Sequence, residues 1–354
     1  LLLYIHIPFC DSKCHYCAFN SYTDKFHLKH NYMKALVKQL EIELKYLDDN
    51  NEKFETVFIG GGTPSSVKFE EYEKVFELIT PYLKEDCEIT SEANPNSASK
   101  KWLEGMKSLG VNRVSFGVQS FDNNKLKLLG RSHNSKSAIT AIQNANCIGF
   151  NGINCDIIYG VQGDRFDSLK DDFDTAFSLP ITHLSAYSLT IEEGTKFFNK
   201  SEVKIDDEEL SYEIFDYIKS CGFDQYEISN FAKAEKFQSK HNYGYWQHKE
   251  YLGIGAGAVG YKNNQRYYPS KSIEEYISNP LNYEVENLSN DDIKVEKVLL
   301  GFRCSTGVEL SIFSQKELEK VNDLILDNRL KKDKTKVYNL NFLLADELAL
   351  YIIE

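Results

Sequence analysis

Proline is scarce in this chain, 7 in 354 residues, and no stretch is compositionally simple. That combination excludes a disordered or proline-rich linker protein. No run approaches the roughly 18 continuous apolar residues that a membrane span requires. Positive charge is short as well: 41 Lys and Arg stand against 53 Asp and Glu, a net charge of −12, with no long basic run. Phosphate neutralisation dominates nucleic-acid affinity, so a nucleic-acid partner is excluded. The apolar start Leu1-Leu2-Leu3-Tyr4-Ile5 lacks the basic stretch and small-residue cleavage site of a secretion signal and reads as a buried strand.

What is present is the composition of a large globule, 42% hydrophobic and 27% charged, enough for a barrel plus an appendage. Its 22 Tyr and 22 Phe supply stacking surface for a flat ligand, although most such rings belong to a core. Of 8 cysteines, Cys10, Cys14 and Cys17 crowd together. Cys87, Cys147, Cys155, Cys221 and Cys304 are scattered and read as reduced, small hydrophobes, which implies a reducing compartment, the cytoplasm.

Apolar runs of strand length alternate with helix-period segments. Strands are expected at Leu2–Pro8, Thr56–Ile59, Cys87–Glu92, Arg113–Val118, Asn154–Tyr159 and His183–Leu189. Helices are expected through Met33–Leu47, Phe69–Leu83, Ser99–Leu109, Ser135–Ile148, Leu169–Leu179 and Glu208–Ser220, with Ser99 and Ser135 as N-caps. Successive β-then-α units require a mainly parallel sheet covered on both faces. Cys10, Gly60–Gly62, Glu92, Gln119 and Asp156 fall at or just after the carboxyl ends of the first five strands, the edge where parallel α/β proteins bind ligands. One rim carrying all of them favours a partial (β/α)6 barrel over an open sheet. The expected organisation is a barrel over 1–225, a Tyr- and Gly-rich segment completing the core over 226–280, and a winged-helix-like unit over 281–354. That last unit would hold two helices and a terminal hairpin of Lys336–Leu340 with Leu348–Ile353.

Cys10-x-x-x-Cys14-x-x-Cys17 lies in a loop directly after the first strand. Three thiolates at this spacing can hold three irons of a [4Fe–4S] cluster and leave the fourth iron open to a chelating ligand. A structural zinc site would want two ligand pairs, and only His15 or His6 stands near enough in sequence to complete one. With Tyr16 before the last Cys, the triplet resembles that of the radical S-adenosylmethionine enzymes. The resemblance implies that S-adenosylmethionine chelates the open iron and that a low-potential electron donor reduces the cluster. The side-chain-free Gly60-Gly61-Gly62 turn matches the family's glycine element.

Tyr4-Ile-His-Ile-Pro-Phe-Cys10, Gly60-Gly-Gly-Thr-Pro64, Ser115-Phe-Gly-Val-Gln-Ser120 and Asp156-Ile-Ile-Tyr-Gly160 narrow the resemblance to oxygen-independent coproporphyrinogen III oxidase and its relatives. By those motifs Tyr4, Gly61, Gly62, Thr63, Glu92, Gln119, Arg131 and Asp156 are the S-adenosylmethionine candidates, and Tyr16 accompanies the cluster. The oxidase carries a further Cys two residues past the third; here that position is Phe19, as in the family's haem-chaperone branch. His241-Asn242-Tyr243-Gly244-Tyr245-Trp246 is similar to that branch's haem motif, which implies His241 as a haem ligand and haemoproteins as acceptors. The alternative activity is radical decarboxylation of porphyrinogen propionates or another radical tetrapyrrole reaction, such as ring methylation or opening.

Overall fold

The run after Leu1 forms a strand covered on both faces: in β1 (Leu2–Ile7) only Tyr4 keeps partial exposure. β2 (Phe54–Gly61), β3 (Leu83–Ala93), β4 (Arg113–Gln119), β5 (Gly152–Tyr159) and β6 (His183–Ser188) follow, each pairing in parallel with the one before it. The connections carry α1 (Lys29–Asn50), α2 (Glu73–Ile79), α3 (Lys100–Ser108), α4 (Asn123–Leu128), α5 (Ser135–Ile148) and α6 (Phe166–Phe177). The computed structural model describes the backbone of residues 1–354 and every side chain but that of Asp49.

Helical periodicity is realised as burial. Leu36, Leu40, Leu44 and Leu47 of α1 are all in the core that β1 and β2 share. Ser99 caps α3 through the Trp102 N–H as expected. At α5 the cap is Asn134 and not Ser135, because Asn134 and Ser137 close a reciprocal box. The segment 69–83 is broken into 3-10 turns around α2, and Pro81 falls in the last of them.

Beyond α7 (Glu208–Ser220), the short strands β7 (Asp224–Gln225) and β8 (Asn230–Ala232) close on β6 antiparallel. α8 (Lys240–Trp246) leads to β9 (Tyr251–Ile254), which pairs parallel with the free side of β1. β10 (Gly260–Lys262), β11 (Gln265–Pro269), α9 (Ile273–Ser278) and β12 (Tyr283–Asn287) extend that edge. The result is one 12-stranded sheet around a curved parallel centre, a partial barrel. β12, inside the range expected for the C-terminal unit, is its edge strand.

α10 (Asn290–Gly301), α11 (Gln315–Leu326) and α12 (Ala345–Ile353) enclose a second core with a three-stranded wing: β13 (Val308–Glu309), β14 (Leu330–Lys332) and β15 (Lys336–Asn339). The expected terminal hairpin is corrected here. Lys336–Asn339 is a strand but pairs with β13 and β14, while 345–353 is helical. Its buried residues Ala345, Leu348, Ala349 and Ile352 recur at helical spacing, and that stripe overrides the strand-like apolar ending. Among the described residues no helix is long and apolar enough to cross a membrane.

Candidate cofactor site

The cysteine loop is fixed from several sides by backbone bonds. Cys10 N–H donates to Tyr22 O at 3.0 Å, Tyr22 N–H to Pro8 O at 2.7 Å, and His15 N–H to Leu129 O at 3.0 Å. Lys13 Nζ ties its far end to Phe19 O at 2.7 Å. Of the two imidazoles that could have completed a zinc site, His6 has both ring nitrogens engaged and His15 has one. His15 Nδ1 meets Leu128 O at 2.9 Å, and His6 bonds Tyr4 OH at 2.9 Å and Asn20 O at 2.8 Å.

Cys10, Cys14 and Cys17 open on the wall of one cavity of about 600 Å³, and among the described residues no other cysteine lines it. No three His, Cys, Asp or Glu side chains of those residues gather closely enough to share a single metal ion. A cubane needs no such convergence, since each thiolate takes a different iron. The donor set therefore fits a cluster with three protein thiolates and one open iron. Arg131 places Nη1 3.1 Å from Cys14 Sγ and Nη2 2.6 Å from Gly117 O, so a buried cation stands beside a thiol that the cluster would hold as thiolate. Thr63 Oγ1 lies 3.3 Å from Cys10 Sγ. Burial pushes the Cys10 and Cys17 thiols up, a cost that iron coordination would reverse. Tyr16 packs its ring against the small apolar cluster of Leu129, Ile158 and Leu189.

The same cavity takes in Tyr4, Gly61, Gly62, Thr63, Glu92, Gln119, Arg131 and Asp156, so the structure brings together every residue expected for S-adenosylmethionine. Gly61 (φ +111°) lets β2 turn against β1; a Cβ there would come 2.4 Å from the His6 ring. Its N–H donates to Glu92 Oε2 at 3.0 Å. Burial, and then repulsion from Asp156, push the Glu92 carboxyl up to about 8. Burial raises Asp156 too, against bonds from Ser185 and Asn154, whose Nδ2 is 2.6 Å from Oδ1. Asp156 lies within β5 rather than past its end, because that strand runs on to Tyr159, so it faces the interior below the mouth. Gln119 holds a left-handed backbone (φ +70°), uncommon for a non-glycine residue and often found at functional sites.

His241 is the exception. It is 1% exposed and absent from the cavity wall, stacks on Phe58 at 5.0 Å, and has both ring nitrogens engaged, by Thr56 Oγ1 at 2.7 Å and Tyr245 OH at 2.9 Å. Burial, and then the Arg113 charge, lower its pKa to about 3, so the ring is neutral. The neighbouring Asn242 lines the cavity instead. Sequence reasoning also missed Arg113, Ser115, Asn154 and Ser185, which line the cavity below the mouth. Their signal was alternation: Arg113, Ser115, Gly117 and Gln119 occupy every second position of an otherwise apolar β4.

The Radical SAM superfamily model matches residues 4–176, from β1 through nearly all of α6. The curated haem chaperone HemW of Bacillus subtilis (strain 168) is 36% identical over 329 residues, 88% of this chain and 86% of that protein. HemW of Haemophilus influenzae is 35% identical over 87% and 84% of the two chains. Among solved structures, coproporphyrinogen III oxidase (HemN) from Escherichia coli superimposes with a TM-score of 0.82 over 99% of this chain and 89% of its own. Its sequence identity of 19% makes that a likeness of fold.

Proposed function

The chain belongs to the haem chaperone HemW family of the radical S-adenosylmethionine superfamily, and from that premise we propose that it binds haem and passes it to acceptor haemoproteins. The observation that carries the reading is the match to proteins of that name along nearly the whole chain, including the segment after β6 that lies outside the superfamily match. In this reading Cys10, Cys14 and Cys17 hold a [4Fe–4S] cluster, with S-adenosylmethionine bound beside it. When bound, the cluster supplies an open iron position and a low-potential electron received from a donor protein.

The chain's own residues prepare the place. Arg131 screens the thiolate charge at Cys14 and fixes the loop to Gly117. Glu92 and Asp156, two desolvated carboxyls in one chamber, favour a ligand that brings positive charge or hydroxyl donors, such as an ammonium or a ribose. Gln119 offers its amide from a held, uncommon backbone. The low basicity of His241 keeps its imidazole neutral, the form that binds iron, but Nε2 must first leave Tyr245. Ligation by His241 therefore requires α8 to lift from β2.

The test is anaerobic reconstitution followed by haem titration. The expected result is a saturable Soret band and its decay on adding an apo-haemoprotein. Absence of a Soret band at any haem concentration would overturn the reading. Coproporphyrinogen incubated with the reduced protein is expected to lose no carbon dioxide by mass spectrometry.

A further inference from the structure

Arg113 begins β4 at the end of the strand away from the cysteine loop. Its side chain is 5% exposed, its Nε has no partner, and among the described residues it makes no hydrogen bond or ion pair. A guanidinium carries five N–H donors and stays protonated, so a desolvated and unpaired one destabilises the fold. The carboxylates in its surroundings form no salt bridge with it, although its charge is felt at Asp156. Asp156 accepts from Asn154, and Glu88, on the outer side, accepts the backbone N–H groups of Lys240 and His241 at 3.1 Å each. The chamber that begins at the cysteines reaches down to Arg113, with Ser115, Asn154, Ser185 and Asn242 around it.

We propose that Arg113 is the carboxylate anchor of this chamber and receives a propionate of haem. This rests on the haem-binding reading above. Arg131 ties the cluster loop to β4 at Gly117, four residues from Arg113, about 13 Å along a strand. A carboxylate chelated at the cluster end is therefore too far away, and the floor anion belongs to a second molecule. Asn242, the neighbour of His241 in α8, lines the same chamber as Arg113, so a lift of α8 that freed His241 would bring the iron ligand to the end where Arg113 stands. A planar guanidinium takes a carboxylate in a bidentate pair, which a Lys ammonium reproduces only in part.

Haem, haem dimethyl ester and S-adenosylmethionine are titrated into reconstituted wild type, Arg113→Gln and Arg113→Lys. Arg113→Gln is expected to weaken haem binding by about tenfold or more, with Arg113→Lys between the two. Blocking the propionates should weaken binding to wild type alone, and S-adenosylmethionine affinity should hold within about twofold in every form. The melting temperature of Arg113→Gln without ligands is expected to hold or rise, since an unpaired buried charge is removed. A fall would assign Arg113 a structural role and overturn the anchor. Wild-type protein that takes haem and its diester equally well, or Arg113→Gln that binds haem unchanged, would overturn the anchor alone. Loss of S-adenosylmethionine affinity with haem binding intact would also overturn it. Wild type that binds no haem would overturn the chaperone reading and the anchor with it.

Discussion

Glu92 lines the chamber, accepts the Gly61 N–H, and shares that space with Asp156. Its carboxyl is raised to about 8 from an ordinary 4.5, so without ligand the folded protein holds a proton that the unfolded chain releases. The stability that this proton confers is complete below about 4.5 and is lost as pH rises to about 8. Glu92→Gln keeps the neutral state at every pH. The ligand-free variant should match wild type near pH 5 and exceed it by about 2–4 kcal/mol at pH 9, read by urea unfolding. A difference constant across that range would mean that Glu92 is already ionised when folded. Binding of a cationic ligand at pH 7 should correspondingly release close to one proton, measurable by calorimetry in buffers of different ionisation enthalpy. The candidate carboxylates were legible as polar interruptions near the ends of apolar strands. Their coupling was not, because it depends on β3 and β5 flanking β4 on the same inner face of the curved sheet.

Secondary elements divide by how much of their stability is local. The six parallel strands and α1, α3, α5, α6 and α7 declared themselves through long apolar periods, and tertiary packing moved only their ends, lengthening β2, β3, β5 and α1. α8 did not, being seven residues long, with Gly244 in its middle and aromatic residues around it. It is held by the Ser239 cap, the His241 bonds and a close approach to β1, where a Cβ on Gly244 would come 2.6 Å from Leu2 Cδ1. Leu2 is fully buried and has little room to yield. Gly244→Ala is expected to cost about 1–3 kcal/mol of stability by calorimetry. His241→Ala, which removes two hydrogen bonds and a stacked ring, should cost about 2–4 kcal/mol. If haem is ligated by His241, adding haem should speed amide exchange over 240–246; unchanged exchange with a full Soret band would exclude that ligand.

At the scale of the molecule, the chamber has two ends built by different parts of the chain. Its mouth comes mainly from the loops after β1 to β4, within the superfamily match, joined by Leu189, Thr190 and Glu192 from the loop after β6, which lies beyond it. Its floor is closed by Asn242 from the segment after β6, and that segment also carries the C-terminal core. Ile228 N–H bonds Arg303 O at 2.8 Å, Ser305 N–H bonds Tyr226 O at 2.9 Å, and Tyr243 OH meets Ser305 Oγ at 2.9 Å. Tyr226 in turn bonds His183 Nε2 at 2.7 Å, and His183 Nδ1 holds Asn154 at 2.6 Å in the chamber wall. A continuous polar chain thus links the second core to the floor, whereas the cysteine loop is pinned by Pro8, Tyr22 and Leu129 and touches none of it. Sequence periodicity could find both cores but not this linkage, which runs through single backbone contacts across distant segments. A chain ending at Leu288 keeps β12 and the whole large sheet but removes the partners of Tyr226, Ile228 and Tyr243. It is therefore expected to reconstitute its cluster and bind S-adenosylmethionine within about twofold of the full chain, while haem affinity falls by about tenfold or more. Visible absorption of the cluster, equilibrium dialysis of S-adenosylmethionine and haem titration separate the two ends. Equal loss of both ligands would show that mouth and floor stand or fall as one unit.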